Sequence, residues 1–173
     1  PPRAPHLVLD PGNASMEDEP LAPTRLRAFD SPGARVDDPL WTLEREIARL
    51  EEQSAPGAER ANAYQSLAEL WRDRIGSLDE ASRAYRQAVA ADPADADLLR
   101  EASACCLDAG DARVALQYAN AAVAAAPTPT GRSSARALRA RLHAILGNPQ
   151  ACVEDLCEAT ADDPANAEPH EVV

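Results

Sequence analysis

From residue 40 onward, apolar residues return at helical spacing and do not alternate. Leu40, Leu43, Ile47 and Leu50 are three, four and three positions apart, with Glu44, Arg45, Glu46, Arg49 and Glu51 among and beside them. That is the apolar stripe of an amphipathic helix, which Asp37 or Asp38 can cap with Pro39 near its first turn. Ser54-Ala55-Pro56-Gly57 ends it. A second helix is predicted over about 58–75, with Tyr64, Leu67, Ala68, Trp71 and Ile75 on one face. Gly76 breaks it, and Ser77 or Asp79 starts a third carrying Leu78, Ala81, Tyr85, Ala88 and Val89. Further helices are predicted over about 95–109, 112–125, 131–146 and 148–161. With no stretch of period two after residue 39, the expected fold class is all-α.

The pattern repeats. Gly76, Gly110 and Gly147 are each followed seventeen residues later by a proline, Pro93, Pro127 and Pro164. Each interval carries an alanine five residues before its proline, at Ala88, Ala122 and Ala159. A fixed interval in tandem marks a repeat architecture. The first unit reads Tyr64-x-x-Leu67-Ala68-x-x-Trp71, then Ala81-x-x-x-Tyr85-x-x-Ala88 and Pro93. The second reads Leu99-x-x-Ala102-Ser103-x-x-Cys106, then Ala115-x-x-x-Ala119-x-x-Ala122 and Pro127. The third keeps Cys152-x-x-x-Leu156-x-x-Ala159 and Pro164, while its first helix needs a one-residue shift to place Leu138 and Leu142 inside. Pro93 and Pro127 are 34 apart, Pro127 and Pro164 are 37 apart, and the extra residues are assigned to an inter-unit turn at Thr128-Pro129-Thr130-Gly131.

Over about residues 58–164 this pattern resembles the tetratricopeptide repeat family, with 40–53 as the second helix of a degenerate leading unit. The resemblance implies a right-handed superhelical solenoid of about three helix-turn-helix repeats whose first helices line a concave binding groove. It also implies a protein–protein interaction module and no enzyme. Each two-helix unit leaves one face uncovered and depends on its neighbour for burial. Cys106 and Ala119 stand where the family prefers large aromatics, so the second unit is expected to be underfilled. Only residues 165–173 follow Pro164, too few for the usual capping helix, so Val153, Leu156 and Ala159 are expected to form an exposed apolar edge needing a cover. The candidates are residues 165–173, the N-terminal arm, a second copy or another protein.

Residues 1–39 hold eight of the fifteen prolines and show no helical period, so an extended or disordered arm is expected before a helical domain over 40–173. Such an arm is either a solvated tail or a segment docked on its own array or on a partner. The chain has 173 residues, 45% of them hydrophobic but only 3% aromatic, which suits close helix packing around alanine. All seventeen basic residues are arginine, which excludes lysine chemistry and points to the codon usage of a GC-rich bacterial genome. A net charge of −12 repels phosphate backbones and anionic membrane surfaces, so no nucleic-acid partner is expected. No apolar run is long enough to span a bilayer. No secretory leader is visible in a chain that opens Pro-Pro-Arg, and a cytoplasmic location is expected.

Candidate chemistry is sparse. Cys105, Cys106, Cys152 and Cys157 lack Cys-x-x-Cys spacing and read as small buried apolar residues, ahead of a disulfide or a zinc site recruiting His143. No catalytic residue, metal site or cofactor is assigned. His6, His143 and His170 stand in no catalytic or metal motif. Arg132, Arg136, Arg139 and His143 fall at i, i+4, i+7 and i+11, with Arg141 beside them, a cationic stripe suited to the carboxylates of an acidic peptide. The competing expectation is that they pair with Glu154, Asp155 and Glu158 on the adjacent helix. Function is thus expected to be that of an adaptor or scaffold gripping a partner segment in its helical groove. The alternative is a structural subunit of a homo- or hetero-oligomer, its arm and uncapped edge docked on neighbours.

Overall fold

Asp38 opens the helical body. In this computed structural model, which describes residues 38–165, its carboxylate accepts the Leu40 amide at 3.0 Å and Pro39 is the first helical residue of α1 (Pro39–Glu52). The helical part therefore begins one residue before the expected boundary at 40. The arm up to residue 37 and the expected cover over 166–173 lie outside the described residues.

Six helices follow: α2 (Gly57–Glu69), extended by a π-helical turn (Leu70–Ile75), α3 (Leu78–Ala91), α4 (Ala96–Asp108), α5 (Ala112–Ala125), α6 (Pro129–Ile145) and α7 (Pro149–Asp162). There is no strand among the described residues. α2 packs on α3, α4 on α5 and α6 on α7, as three hairpins joined by short turns. Neighbouring hairpins stack through α3 on α4 and α5 on α6, and α1 covers α2.

The hairpin turns explain the glycine interval. Gly110 has φ +85°, with Gly76 and Gly147 alike at +76° and +75°, a left-handed conformation in which a Cβ is strained. The Asp111 and Asn148 amides reach back five residues to the carbonyls of Cys106 and His143, both at 2.8–2.9 Å, closing the helix ends. At Gly76 the same bond runs six residues back, from Ser77 to the Trp71 carbonyl at 2.9 Å. The spacing from Ala68 to Ala81 is one residue longer than from Ser103 to Ala115. The π-turn absorbs that extra residue, so both helix faces of the first hairpin still meet. It also takes the last residues off the 3.6 register. Ile75, expected on the apolar face, is half exposed at 49%.

The three extra residues of the third unit do not lengthen an inter-unit turn, contrary to the expectation from the sequence. Thr128 accepts the Gly131 amide at 3.1 Å and Pro129 enters at the first position, so the insertion becomes the first turn of a 17-residue α6.

Alanine lets the pairs approach. Ala68, Ala81, Ala88 and Ala102 are fully buried around Tyr85, with Tyr64, Leu67 and Trp71 packed on the rim. The gap expected at Cys106 and Ala119 is closed from the next unit: Leu142 of α6, itself fully buried, fills it, with Leu138 and Tyr118 beside it.

Candidate functional site

Two surfaces carry the candidate chemistry. The first is the side of the solenoid formed by α2, α4 and α6. α6 reaches past its neighbour to touch α4, and no comparable packing joins α3 to α5 or α5 to α7. Between α2 and α4 the link on this side is made by side chains. On this side Gln65 of α2 donates to Glu69 at 3.2 Å and across to Glu101 of α4 at 3.0 Å. Arg72, in the π-turn, donates to the Tyr85 hydroxyl at 3.1 Å, and that hydroxyl lies 3.5 Å from Glu101. Asp73 holds the Arg72 guanidinium at 2.7 Å and raises its pKa above the ordinary arginine value. Burial pushes the Tyr85 phenol upward, so it stays a neutral donor. Gln65, Glu69, Arg72 and Glu101 are all partly exposed, ready to bond an extended backbone or a polar side chain.

Sequence reasoning missed this cluster because charged residues on a helix read as solvated surface. The available signal was the 65, 69, 72 spacing on the polar side of a first helix.

The second surface is the arginine stripe of α6, which the structure turns onto α7. Arg132 reaches Asp162 at 3.4 Å, and Arg136 pairs with Asp162 and with Glu158 at 3.1 Å. Arg139 donates its Nε to Asp155 at 2.8 Å, a second guanidinium nitrogen to the other carboxylate oxygen, and a third to Asn120 of α5 at 3.2 Å. His143 stands 3.8 Å from Asp155. The hydrogen bonds that Arg139 donates to Asp155 raise its pKa. Three guanidiniums thus face three carboxylates. Of the expected acids, Asp155 and Glu158 take part; Glu154 instead accepts from Gln150, and Asp162 serves in its place. Arg141 is exposed and forms no ion pair among the described residues.

The expected apolar edge divides. Val153 is 57% exposed and Leu156 half-buried, but Ala159 is fully buried. Asp155, Ala159 and Asp162 share the helical face that meets α6, so Ala159 belongs to the seam and not to the edge. Ile145, at 55%, is a further exposed aliphatic that sequence inspection did not single out.

All four cysteines are free thiols; Cys105 and Cys106 are buried, Cys152 is half-buried, and Cys157 is exposed, contrary to the expected buried role. Burial, with Cys106 adjacent, raises the Cys105 thiol to about 11, and burial raises Cys106 as well, so neither is poised as a nucleophile. Among the described residues no group of three His, Cys, Asp or Glu side chains is placed to hold a metal ion. None of the described helices is long and apolar enough to cross a membrane.

Solved structures share this arrangement. The first TPR of Spaghetti (RPAP3), bound to the HSP90 peptide SRMEEVD, superposes with a TM-score of 0.58 at 20% identity, over 66% of this chain and 87% of that one. The fold is the tetratricopeptide-repeat solenoid. The N-terminal domain of stress-induced protein-1 (STI-1) from C. elegans matches with a TM-score of 0.59 at 12% identity, over 67% of this chain and 94% of that one. The crystal structure of MamA matches at 0.58 and 13% identity, over 78% and 80%. No family model and no curated protein matches the sequence. Within the chain the small residues and turns recur from hairpin to hairpin while the large positions differ: Tyr64, Leu67 and Trp71 in the first correspond to Arg136, Arg139 and His143 in the third.

Proposed function

We propose that this chain is a non-enzymatic interaction module that holds a segment of a partner protein along the α2–α4–α6 side of its solenoid. One observation carries this: the first helices present half-buried hydrogen-bonding groups, Gln65, Glu69, Arg72 and Glu101, and Gln65 bridges α2 to Glu101 of α4. Such groups are partly desolvated already and satisfied mainly by one another, so an incoming backbone can exchange bonds with them at small cost. A tetratricopeptide neighbour was solved with a peptide bound, which supports the mode of action without identifying a ligand.

Capture from the native cell tests this. Glu69→Arg with Glu101→Arg should retain the helical circular-dichroism spectrum and lose the partners that the unaltered chain retains. Recovery of the same partners by the double variant would remove the groove from consideration. A structural-subunit role is the second reading, favoured by the exposed Ile145 and Val153 at the last hairpin. Light scattering on the purified chain separates the two: a folded monomer supports the adaptor, a constitutive oligomer the subunit.

A further inference from the structure

The third hairpin departs from the other two on both of its facing sides. The positions of Tyr64, Leu67 and Trp71 in α2, and of Leu99, Ala102 and Cys106 in α4, are held by Arg136, Arg139 and His143 in α6. Opposite them, the position of Ala84 in α3 and Tyr118 in α5 is Asp155 in α7, and that of Ala91 and Ala125 is Asp162. A seam that is apolar in two hairpins is ionic in the third, with cations confined to one helix and anions to the other.

α7 lies along α6 over most of its length but buries few side chains there. Its only buried residues are Asp155 and Ala159, against five in α3. Two seam nitrogens, Arg136 Nε and His143 Nδ1, are buried without a hydrogen-bond partner. Ion pairs of this kind confer specificity more than net binding, because desolvation offsets most of the attraction. The link to α6 is the short turn Leu146–Asn148, entered through the left-handed Gly147.

We infer that the α6 stripe is a docking site for an acidic helix with carboxylates at i, i+3 and i+7, filled in cis by α7, and that the α7 of a second copy takes its place when the cis helix releases. Every copy carries the complement, since Asp155, Glu158 and Asp162 have that spacing. Exchange of an identical element between copies costs little because each seam lost in cis is regained in trans. The inference concerns the α6–α7 seam and stands apart from partner capture in the groove.

Charge reversal in separate chains tests it. In the Arg139→Asp chain and in the Asp155→Arg chain, α7 amides should exchange with deuterium at least tenfold faster than in the unaltered protein, while α2 to α5 keep their protection. Mixed in equal amounts, the two chains can restore both seams only in trans. The mixture should show a heterodimer by light scattering and recover α7 protection to within about threefold of the unaltered level. The chain carrying both substitutions should be protected as a monomer. A labelled peptide of residues 149–165 should bind the Asp155→Arg chain saturably, and at least tenfold more weakly with Asp155→Asn and Asp162→Asn in the peptide. A mixture without heterodimer or recovered protection, single variants with unchanged α7 exchange, or a peptide that does not saturate would each overturn the inference.

Discussion

Leu142→Ala tests the claim that the second unit is completed by the third. Leu142 is fully buried and inserts between Cys106 of α4 and Ala119 of α5, with Ala115 also in the cluster. Leucine-to-alanine changes in buried sites cost about 2.7–5.0 kcal/mol, the upper end where the surroundings cannot collapse. The buried residues around Leu142 are short side chains on helices already in close packing, so they cannot reach into the space. A loss of about 4 kcal/mol is expected. For a helical body of this size that corresponds to roughly 10–20 °C in melting temperature. Urea and thermal unfolding followed by circular dichroism measure it, and Cys106→Leu added to Leu142→Ala should regain about half by refilling the gap from the other side. A loss below about 1.5 kcal/mol, or no recovery on refilling, would mean that Leu142 does not seal the unit.

Gly57→Ala should destabilise by about 1–3 kcal/mol in urea titration, because a Cβ there would stand 2.3 Å from the Ala91 carbonyl oxygen and force α2 off α3. Ser103→Ala should lose about 0.5–1.5 kcal/mol by the same method, since its buried hydroxyl donates to the Ala115 carbonyl at 2.8 Å and that bond is lost, while the carbonyl keeps its helical partner. Burial raises the Cys105 thiol from 9.0 to about 11, so the folded state favours the neutral form. The associated stability is whole below pH 9 and falls as pH rises toward 11; urea midpoints across that range should decline less steeply for Cys105→Ala. With a colourless-to-coloured thiol reagent at pH 8, Cys157 should react within seconds to minutes, and Cys105 and Cys106 only on unfolding.

Much of the fold was written in the one-dimensional pattern. Helix limits followed from local rules: Asp38 and Asp95 cap by hydrogen bonds to nearby amides, and prolines halt the chain after α3, α5 and α7. Gly76, Gly110 and Gly147 hold the left-handed turns that their spacing suggested. These features depend on a few neighbouring residues, and sequence periodicity carries that information directly. The candidate site was less legible. A stripe of arginines on one helix is the same string whether it faces a partner or the next helix. Only the docking of α7, which brings Asp155 and Asp162 opposite Arg139 and Arg136, distinguishes them.

Local chemistry settled where this chain turns, which residues are small enough for close helix approach, and that the units recur. Tertiary packing decided the rest: that Leu142 fills the second unit, that Ala159 is buried, and that the π-turn brings Arg72 to Tyr85. The reason is the range of the forces involved. Capping and turn preferences act over a handful of residues, whereas burial and charge pairing depend on which distant surfaces meet.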